Sequence, residues 1–513
     1  MSLAHCLWPS ARASGIVEVG NAPGAPMDSS IPSYELEPAA VWRHFATLSR
    51  IPRMSGHEQV LRDEIAGWAR QHGLGVAVDA TGNLVISKPA TPGREDRPGV
   101  VLQGHLDMVC QKNAASTHDF SRDPIHAELR DGWLVADDTT LGADNGIGVA
   151  LALAALEAGD IAHPSLEVLL TVDEEAGMTG ARGLRAGALR GRRLINIDTE
   201  DWGEFYLGCA GGADVVVDAP LESEAAPAGW QALRVTVEGL KGGHSGVDIH
   251  LQRGNAIKLL VRVLHGLAAD GVPFALAAME GGTARNALPR EAGALILVPD
   301  GNGAGLRQAL TRTAAEIAEE LAGVDDGFAL RAEPDPARPE HVPDAATARR
   351  VLAALHAAPH GVRRMSTRVA GVVETSDNLG VLRLDAQRLQ ATLMVRSLLD
   401  AGTRALADEI VALFDLAGLP ASVSEPYPGW APNPDSALLA SFLQVYRREF
   451  GGEAAVKVIH AGLECGIFTA TWPDMDMISF GPTIRGAHAP GERVEVESVG
   501  RAWRLLAAAL AEL

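Results

Sequence analysis

From about residue 34 the chain alternates two periodicities. In EPAAVWRHFATLSRI and EQVLRDEIAGWARQHG the apolar residues recur every three to four positions, which predicts amphipathic helices. GNLVISK and PGVVLQGHLD are short apolar runs bounded by turn residues, which predicts strands. There follow GADNGIGVALALAALEAG, a helix opened by Asp144 and Asn145, then the buried strand SLEVLLTV and a further strand, RRLINID. Short apolar strands separated by helices predict an α/β fold, a mainly parallel sheet flanked by helices on both faces. Ligands of such sheets sit outside the carboxyl ends of the strands. His105 and Asp107 follow VVLQG, the adjacent carboxylates Glu174 and Glu175 follow VLLTV, and Asp198 follows LINI. These polar residues should converge on one edge.

After Gly211-Gly212 the texture changes. ADVVVDAPL, WQALRVTVEGL, GALILVP and LQATLMVRSLLD read as strands around the helical patterns NAIKLLVRVLHGLAA and GTRALADEIVALFDLAG, which predicts a separate α+β domain. EPYPGWAPNPDS is dense in proline and reads as a hinge or linker. LLASFLQVYRREF, MDMISFG and ESVGRAWRLLAAALAEL then resume the first alternation, so the α+β domain reads as an insertion, a lid. The expected organisation is a disordered tail over 1–33, a catalytic domain over 34–212 and 429–513, and the inserted lid over 213–428. The first 30 residues, rich in Gly, Pro, Ala and Ser, lack the charged and apolar regions of a signal peptide. They read as a tail, or as sequence upstream of a start at Met27.

Composition narrows the function classes. The 513 residues exceed what one hydrophobic core serves, and the hydrophobic share of 47% supplies material for two. Lys and Arg number 44 against 65 Asp and Glu, a formal charge of −21. A surface that acidic argues against nucleic acid or an anionic membrane as the main partner and is compatible with bound cations. No apolar run approaches the roughly 20 residues that span a bilayer. Cys6, Cys110, Cys209 and Cys465 are scattered, without a CxxC pair, which points to a reducing cytoplasm.

His105 and Asp107, two apart in an extended segment, face the same side. An aspartate there accepts the second N–H of a ligand histidine and turns its other nitrogen toward a metal. The same residues have plainer readings: a His beside an Asp is commonly a surface pair, Asp144 a helix cap, Asp198 a turn residue. Taken together, one histidine and several carboxylates at successive strand ends form a mixed nitrogen and oxygen set that suits zinc, manganese or cobalt.

GHLDMV, TLGADNGIG, TVDEEAGMTGARGL, LINID and GPTIRGAHAP occur in the order and approximate spacing of the M20 metallopeptidases. LGCAGGAD, KGGHSGVDIH, GGTARNALPREA, VETSDNLGV, MVRSLLD, PYPGWAPNPDS and HAGLECGIF resemble the aminoacyl-histidine dipeptidase branch of that family. The resemblance spans roughly residues 34–513. It implies two divalent metal ions, zinc first and manganese or cobalt next, bridged by Asp144. His105 and Asp198 would complete one metal's ligands, and Glu175 and His488 the other's. Asp107 would orient His105, and Glu174 would be the general base.

In the insertion, His244 resembles the family histidine that stabilises the oxyanion, Asn286 a substrate-contacting residue, and Arg396 the arginine that holds the substrate's terminal carboxylate. Read alone, they are a turn histidine, a turn former and a solvated strand arginine. His460 and Glu464 resemble pocket residues without an assigned role. The resemblance further implies a cytoplasmic homodimer that hydrolyses short dipeptides, Xaa-His and β-alanyl-histidine among them. Two other readings stay open: an M20 deacylase of N-acyl amino acids, and a protein that only binds peptide or metal.

Overall fold

The computed structural model describes residues 36–513 apart from 114 and 302, so the expected tail lies outside the described residues. The chain divides into two compact units. One comprises the chain up to Leu207 with Asn433–Lys457 and Ile467–Leu513; the other comprises Gly208–Pro432 with Val458–Gly466.

Unit 1 is built on an eight-stranded sheet. Its centre is parallel: β1 (Val100–His105) lies between β2 (Leu166–Thr171) and β3 (Arg193–Asn196), and β4 (Asp476–Ser479) pairs with β3. The margins are antiparallel. Leu84–Lys88 pairs with β2, Gly75–Val78 lies outside it, and Glu204–Cys209 runs antiparallel to β4. The sheet is therefore parallel at its centre and antiparallel at its margins. All six residues of both β1 and β2 are buried, which is why these strands read as unbroken apolar runs rather than as an alternation.

At the strand ends a row of polar side chains crosses the sheet, from the last residues Thr171, Asn196 and Ser479 to Gln103, two before the end of β1. Gln103 Nε2 donates to Thr171 Oγ1 (3.2 Å), Asn196 Nδ2 donates to Gln103 Oε1 (2.6 Å), and Ser479 Oγ donates to Asn196 Oδ1. Buried groups that satisfy one another only in this alignment fix the register of β2, β1, β3 and β4, and with it the placement of whatever follows each strand. The helix α1 (Ala143–Glu157) is buried on nearly all sides and packs against β1 and Ala39–Arg50. Its first turn consequently opens at the strand ends, not at the protein surface.

Unit 2 carries a nine-stranded sheet whose ladders are all antiparallel. Helices Ala256–Ala269, Gly303–Glu320, Ala345–Ala357 and Asp400–Leu416 supply apolar residues to its main core. The proline-rich stretch read as a hinge or linker contains the boundary between the units, at Pro432 and Asn433, and its unit 2 part is hydrogen-bonded along a strand. Tyr427 and Gly212 exchange both backbone hydrogen bonds (2.9 and 3.0 Å), as do Trp430 and Cys209 (2.9 and 3.0 Å), so it runs as an annex to the strand Gly211–Pro220. A Cβ on Gly211 would come 2.4 Å from the Gly429 nitrogen, which explains a glycine there. Val458–Gly466, within the span read as the second catalytic part, goes with unit 2. No helix among the described residues is long and apolar enough to cross a membrane.

Candidate metal centre and a buried guanidinium

Four chain segments bring their polar residues to the carboxyl edge of the parallel strands. β1 ends on His105, which is 1% exposed. β3 leads into Asp198. After β2 the chain turns through Asp173 at φ 58°, an αL conformation for a residue with a Cβ, and so delivers Glu174 and Glu175 to the strand end. The fourth segment is the start of α1. There the backbone leaves helical angles at Asp144 (φ −79°, ψ 113°) and the side chain projects toward the sheet edge.

His105 Nε2 lies 3.2 Å from Asp144 Oδ1 and 3.7 Å from Asp198 Oδ1. His488 arrives from the far end of the chain at φ 64°, with Nε2 3.2 Å from Asp144 Oδ2 and 3.2 Å from Glu175 Oε1. Asp144 thus presents one oxygen to each imidazole. Ligand atoms of His105, Asp144 and Glu175 all fall within 4.8 Å of one another.

Asp107, fully buried, organises the surroundings. His105 Nδ1 lies 3.3 Å from its Oδ1, which fixes the proton on that nitrogen and turns Nε2 toward Asp144. The same carboxylate accepts the N–H groups of Glu174 and Glu175 (both 3.0 Å) and the Ser55 hydroxyl (2.8 Å). Orientation of the histidine and placement of the carboxylate pair are therefore one device.

The electrostatics say what the cluster wants. Burial alone would raise the Asp107 carboxyl, yet the hydrogen bond and charge of His105 hold it down at about 2. His488 is pushed up to about 11 by its hydrogen bonds to Asp144 and Glu175. Burial disfavours a charged His105, but Asp198, Asp107 and Asp144 outweigh it and raise the ring well above its ordinary value. Carboxylates that hold imidazolium this firmly offer the same sites to a divalent cation, and the donor set of His, Asp and Glu fits zinc, manganese or cobalt. Among the described residues His105, Asp144 and Glu175 form a group that could hold a metal ion, with Asp198 beside His105 and His488 beside Asp144 and Glu175.

Three neighbours carry no sequence signal of their own. Asn145 receives the His105 N–H on Oδ1 (3.3 Å) and donates from Nδ2 to the Ile197 carbonyl (2.5 Å), so it braces the ends of β1 and β3. A Cβ on Gly104 would come 2.2 Å from Asn145 Oδ1, which explains the glycine before His105. Arg53 and Glu492 grip the backbone that leads into α1. Glu492 accepts the N–H groups of residues 141–144, so the capping duty open to Asp144 on sequence grounds belongs to another residue.

Unit 2 places Arg396, His244 and Tyr427 together. Arg396 is 4% exposed, its Nη1 lies 3.0 Å from the Tyr427 hydroxyl, and among the described residues no carboxylate stands within ion-pair reach of it. A Cβ on Gly212, the strand partner of Arg396, would lie 2.7 Å from that hydroxyl, so the glycine admits the phenol. His244 Nδ1 accepts the N–H groups of Gly246 (3.2 Å) and Val247 (3.0 Å), which leaves Nε2 as the protonated nitrogen. That N–H and Arg396 Nη2, 3.4 Å apart, are two donors side by side, an arrangement completed by an anion. Asn286 is exposed, and its carbonyl accepts from Ser245 N–H beside His244. His460 Nε2 bonds to Ser376 Oγ (2.7 Å).

Burial and the Arg396 charge push His244 down to about 4, burial and Lys258 push His360 to about 4, and burial and Arg396 push His460 to about 3. Their neutral forms are built into the fold. Unfolding near pH 5 lets all three rings take up protons, while Asp377, raised by burial to about 7 when folded, releases one. The net uptake is about two protons, so stability of unit 2 falls as pH drops from about 6.5 toward 4. Denaturant midpoints measured across that range should fall steadily; a flat profile would contradict the neutral histidines.

Strand-end carboxylates and histidines gathered around one aspartate are the equipment of a metal-dependent hydrolase. A model of peptidase family M20/M25/M40 matches residues 101–512. The chain belongs to that family and is a metallopeptidase. It is 44% identical over 480 residues, 93% of this chain and 98% of the other, to the cytosol non-specific dipeptidase of Escherichia coli. The structure of aminoacylhistidine dipeptidase from Vibrio alginolyticus superposes with a TM-score of 0.85 at 44% identity, covering 93% of this chain and 97% of that one. Aminopeptidase PepT from Bacillus cereus shares the fold at 16% identity, with a TM-score of 0.53 over 92% of this chain and 98% of that one.

Proposed function

We propose that this protein is a dinuclear-zinc dipeptidase, with Xaa-His dipeptides, β-alanyl-histidine included, among its substrates. The observation that carries the reading is the pair of imidazoles meeting opposite oxygens of Asp144, with Asp198 beside one ring and Glu175 beside the other. Two ions held here would take an oxygen each from Asp144, with His105 and Asp198 as the further donors to one and Glu175 and His488 as the further donors to the other. When bound, the ions would supply a more acidic water and a polarised scissile carbonyl. Glu174 takes a proton from the attacking water and passes it to the leaving amine. Asp107 keeps His105 aimed and fixes the Glu174 backbone. His244, neutral at physiological pH, donates its Nε2–H to the oxygen on which charge develops. Arg396, cationic and without a carboxylate partner, receives the substrate's terminal carboxylate, and Asn286 contacts the substrate.

The likeness to the Escherichia coli and Vibrio alginolyticus dipeptidases supports this choice within the family, and a cytoplasmic homodimer belongs to the same reading. The test is a substrate panel run on protein stripped with a chelator and reloaded with Zn²⁺, Mn²⁺ or Co²⁺. Ala-His and β-Ala-His should turn over only after reloading, and their C-terminal amides should lose most of kcat/KM because Arg396 has no carboxylate to hold. Turnover of N-acyl amino acids without turnover of either dipeptide would replace this reading with a deacylase.

A further inference from the structure

Glu492 is a buried carboxylate, 2% exposed, that faces backbone rather than a cation. Its Oε2 accepts from Leu141 (2.7 Å) and Gly142 (2.9 Å), and its Oε1 from Ala143 (2.8 Å) and Asp144 (3.3 Å). Four consecutive N–H groups at the positive end of α1 are therefore used by one side chain. From the other side Arg53, also 2% exposed, donates through Nη2 to the Gly142 carbonyl and through Nη1 to the carbonyls of Leu106 (3.1 Å) and Asp107 (2.9 Å). The segment that carries Asp144 is held between an anion and a cation, and the cation also holds the segment just after His105. Gly142, at φ 68°, has no room for a side chain, since a Cβ there would come 2.3 Å from Arg53 Nη2.

We propose that Glu492 is a positioning residue for the metal bridge: its four backbone hydrogen bonds aim Asp144 so that one oxygen meets His105 while the other meets His488. Glu492 itself stays off the metal. It lies four residues after His488, and that loop is further tied down where Gly491 N–H donates to the carbonyls of Ala136 (2.9 Å) and Thr139 (3.2 Å). One buried carboxylate thus sets a bridging ligand and a terminal ligand against each other. The inference rests on the bridging role given to Asp144 above.

The experiment is a Co²⁺ titration of the metal-stripped full-length protein, wild type and Glu492→Gln, followed by visible absorption, with elemental analysis after dialysis. A carboxamide has one oxygen for the four N–H groups and turns its NH₂ against the rest. Glu492→Gln should bind Co²⁺ about 10- to 100-fold more weakly, the usual effect of losing a group that orients a ligand. Its d–d spectrum should shift, and kcat should fall more than KM rises. Glu492→Asp, which keeps the charge on a shorter arm, should recover part of the affinity, and it serves as the test if Glu492→Gln does not fold. Co²⁺ affinity and spectrum equal to wild type, even with a lowered melting temperature, would overturn the proposal. Asp144→Asn separates the two claims: if it retains two equivalents with a wild-type spectrum, the bridging reading fails, whereas the clamp is judged by Glu492→Gln alone.

Discussion

Glu174→Ala should lower kcat on a dipeptide by about 10²- to 10⁴-fold while metal content stays at the wild-type level, the range that a positioned general base contributes. The residue's backbone is held independently of its side chain, through the N–H bond to Asp107 Oδ1 (3.0 Å), so truncation leaves the strand end in place. His488 is met by Asp144 and Glu175, and His105 by Asp144 and Asp198. On the proposed assignment, removing Glu174 should remove a proton acceptor and leave those donors in place. Elemental analysis together with steady-state kinetics reads both halves of the expectation. Near-normal turnover would end the assignment as base, and loss of metal would move Glu174 into the ligand set.

Asp144→Ala produces the larger change in the protein itself. Asp144 alone places one oxygen at 3.2 Å from each imidazole, so alanine breaks both contacts at once. At least one metal equivalent should be lost on dialysis, and turnover should fall by about three orders of magnitude or more, since two-metal chemistry needs both ions held together. Metal that binds only the folded chain stabilises it in proportion to the logarithm of its concentration over Kd. Wild-type protein should accordingly melt several degrees lower after chelation, and Asp144→Ala should show little further decrease. Undiminished metal content in the variant would refute the bridge.

Glu174 was visible in the sequence because it sits where a strand visibly ends. An unbroken apolar run such as VLLTV marks a strand covered on both faces, and the first charges after it must lie at the sheet edge. His105, Glu174, Glu175 and Asp198 follow from that rule, and the motif resemblance supplied their companions Asp144 and His488. Adjacency in TVDEEAGM acquired a physical meaning as well, since one buried carboxylate, Asp107, receives both backbone N–H groups.

Glu492, Arg53 and Asn145 had no comparable signature. Glu492 acts on backbone some 350 positions away, and no local periodicity encodes such a contact. The helices Gly303–Glu320 and Ala345–Ala357 are alanine-rich, as in AATARRVLAALHA, and their few large apolar residues mark a buried face only weakly. The proline-rich EPYPGWAPNPDS reads as a hinge or linker, and the boundary between the two units falls within it, at Pro432 and Asn433; its proline content gave no sign that part of it also pairs with a strand. Here Tyr427 and Trp430, not the prolines, supply the hydrogen bonds that align it with Gly212 and Cys209.

The position of β4 has a consequence for how the molecule is made. Residues 476–479 fill the slot beside β3, although β3 ends at Asn196. A ribosome delivers β3 long before its neighbour, so a nascent chain carries an open strand edge, rich in Leu and Ile, while the whole of unit 2 is being synthesised and folded. Such an edge is a template for pairing with another chain. His488 and Glu492 emerge later still, so every nascent or truncated form ending before them lacks both a metal donor and the carboxylate that caps α1. On the proposed ligand set, hydrolytic competence should appear only after residues 488 to 492 have been made, and chaperone dependence should be concentrated in the interval when β3 waits for its partner.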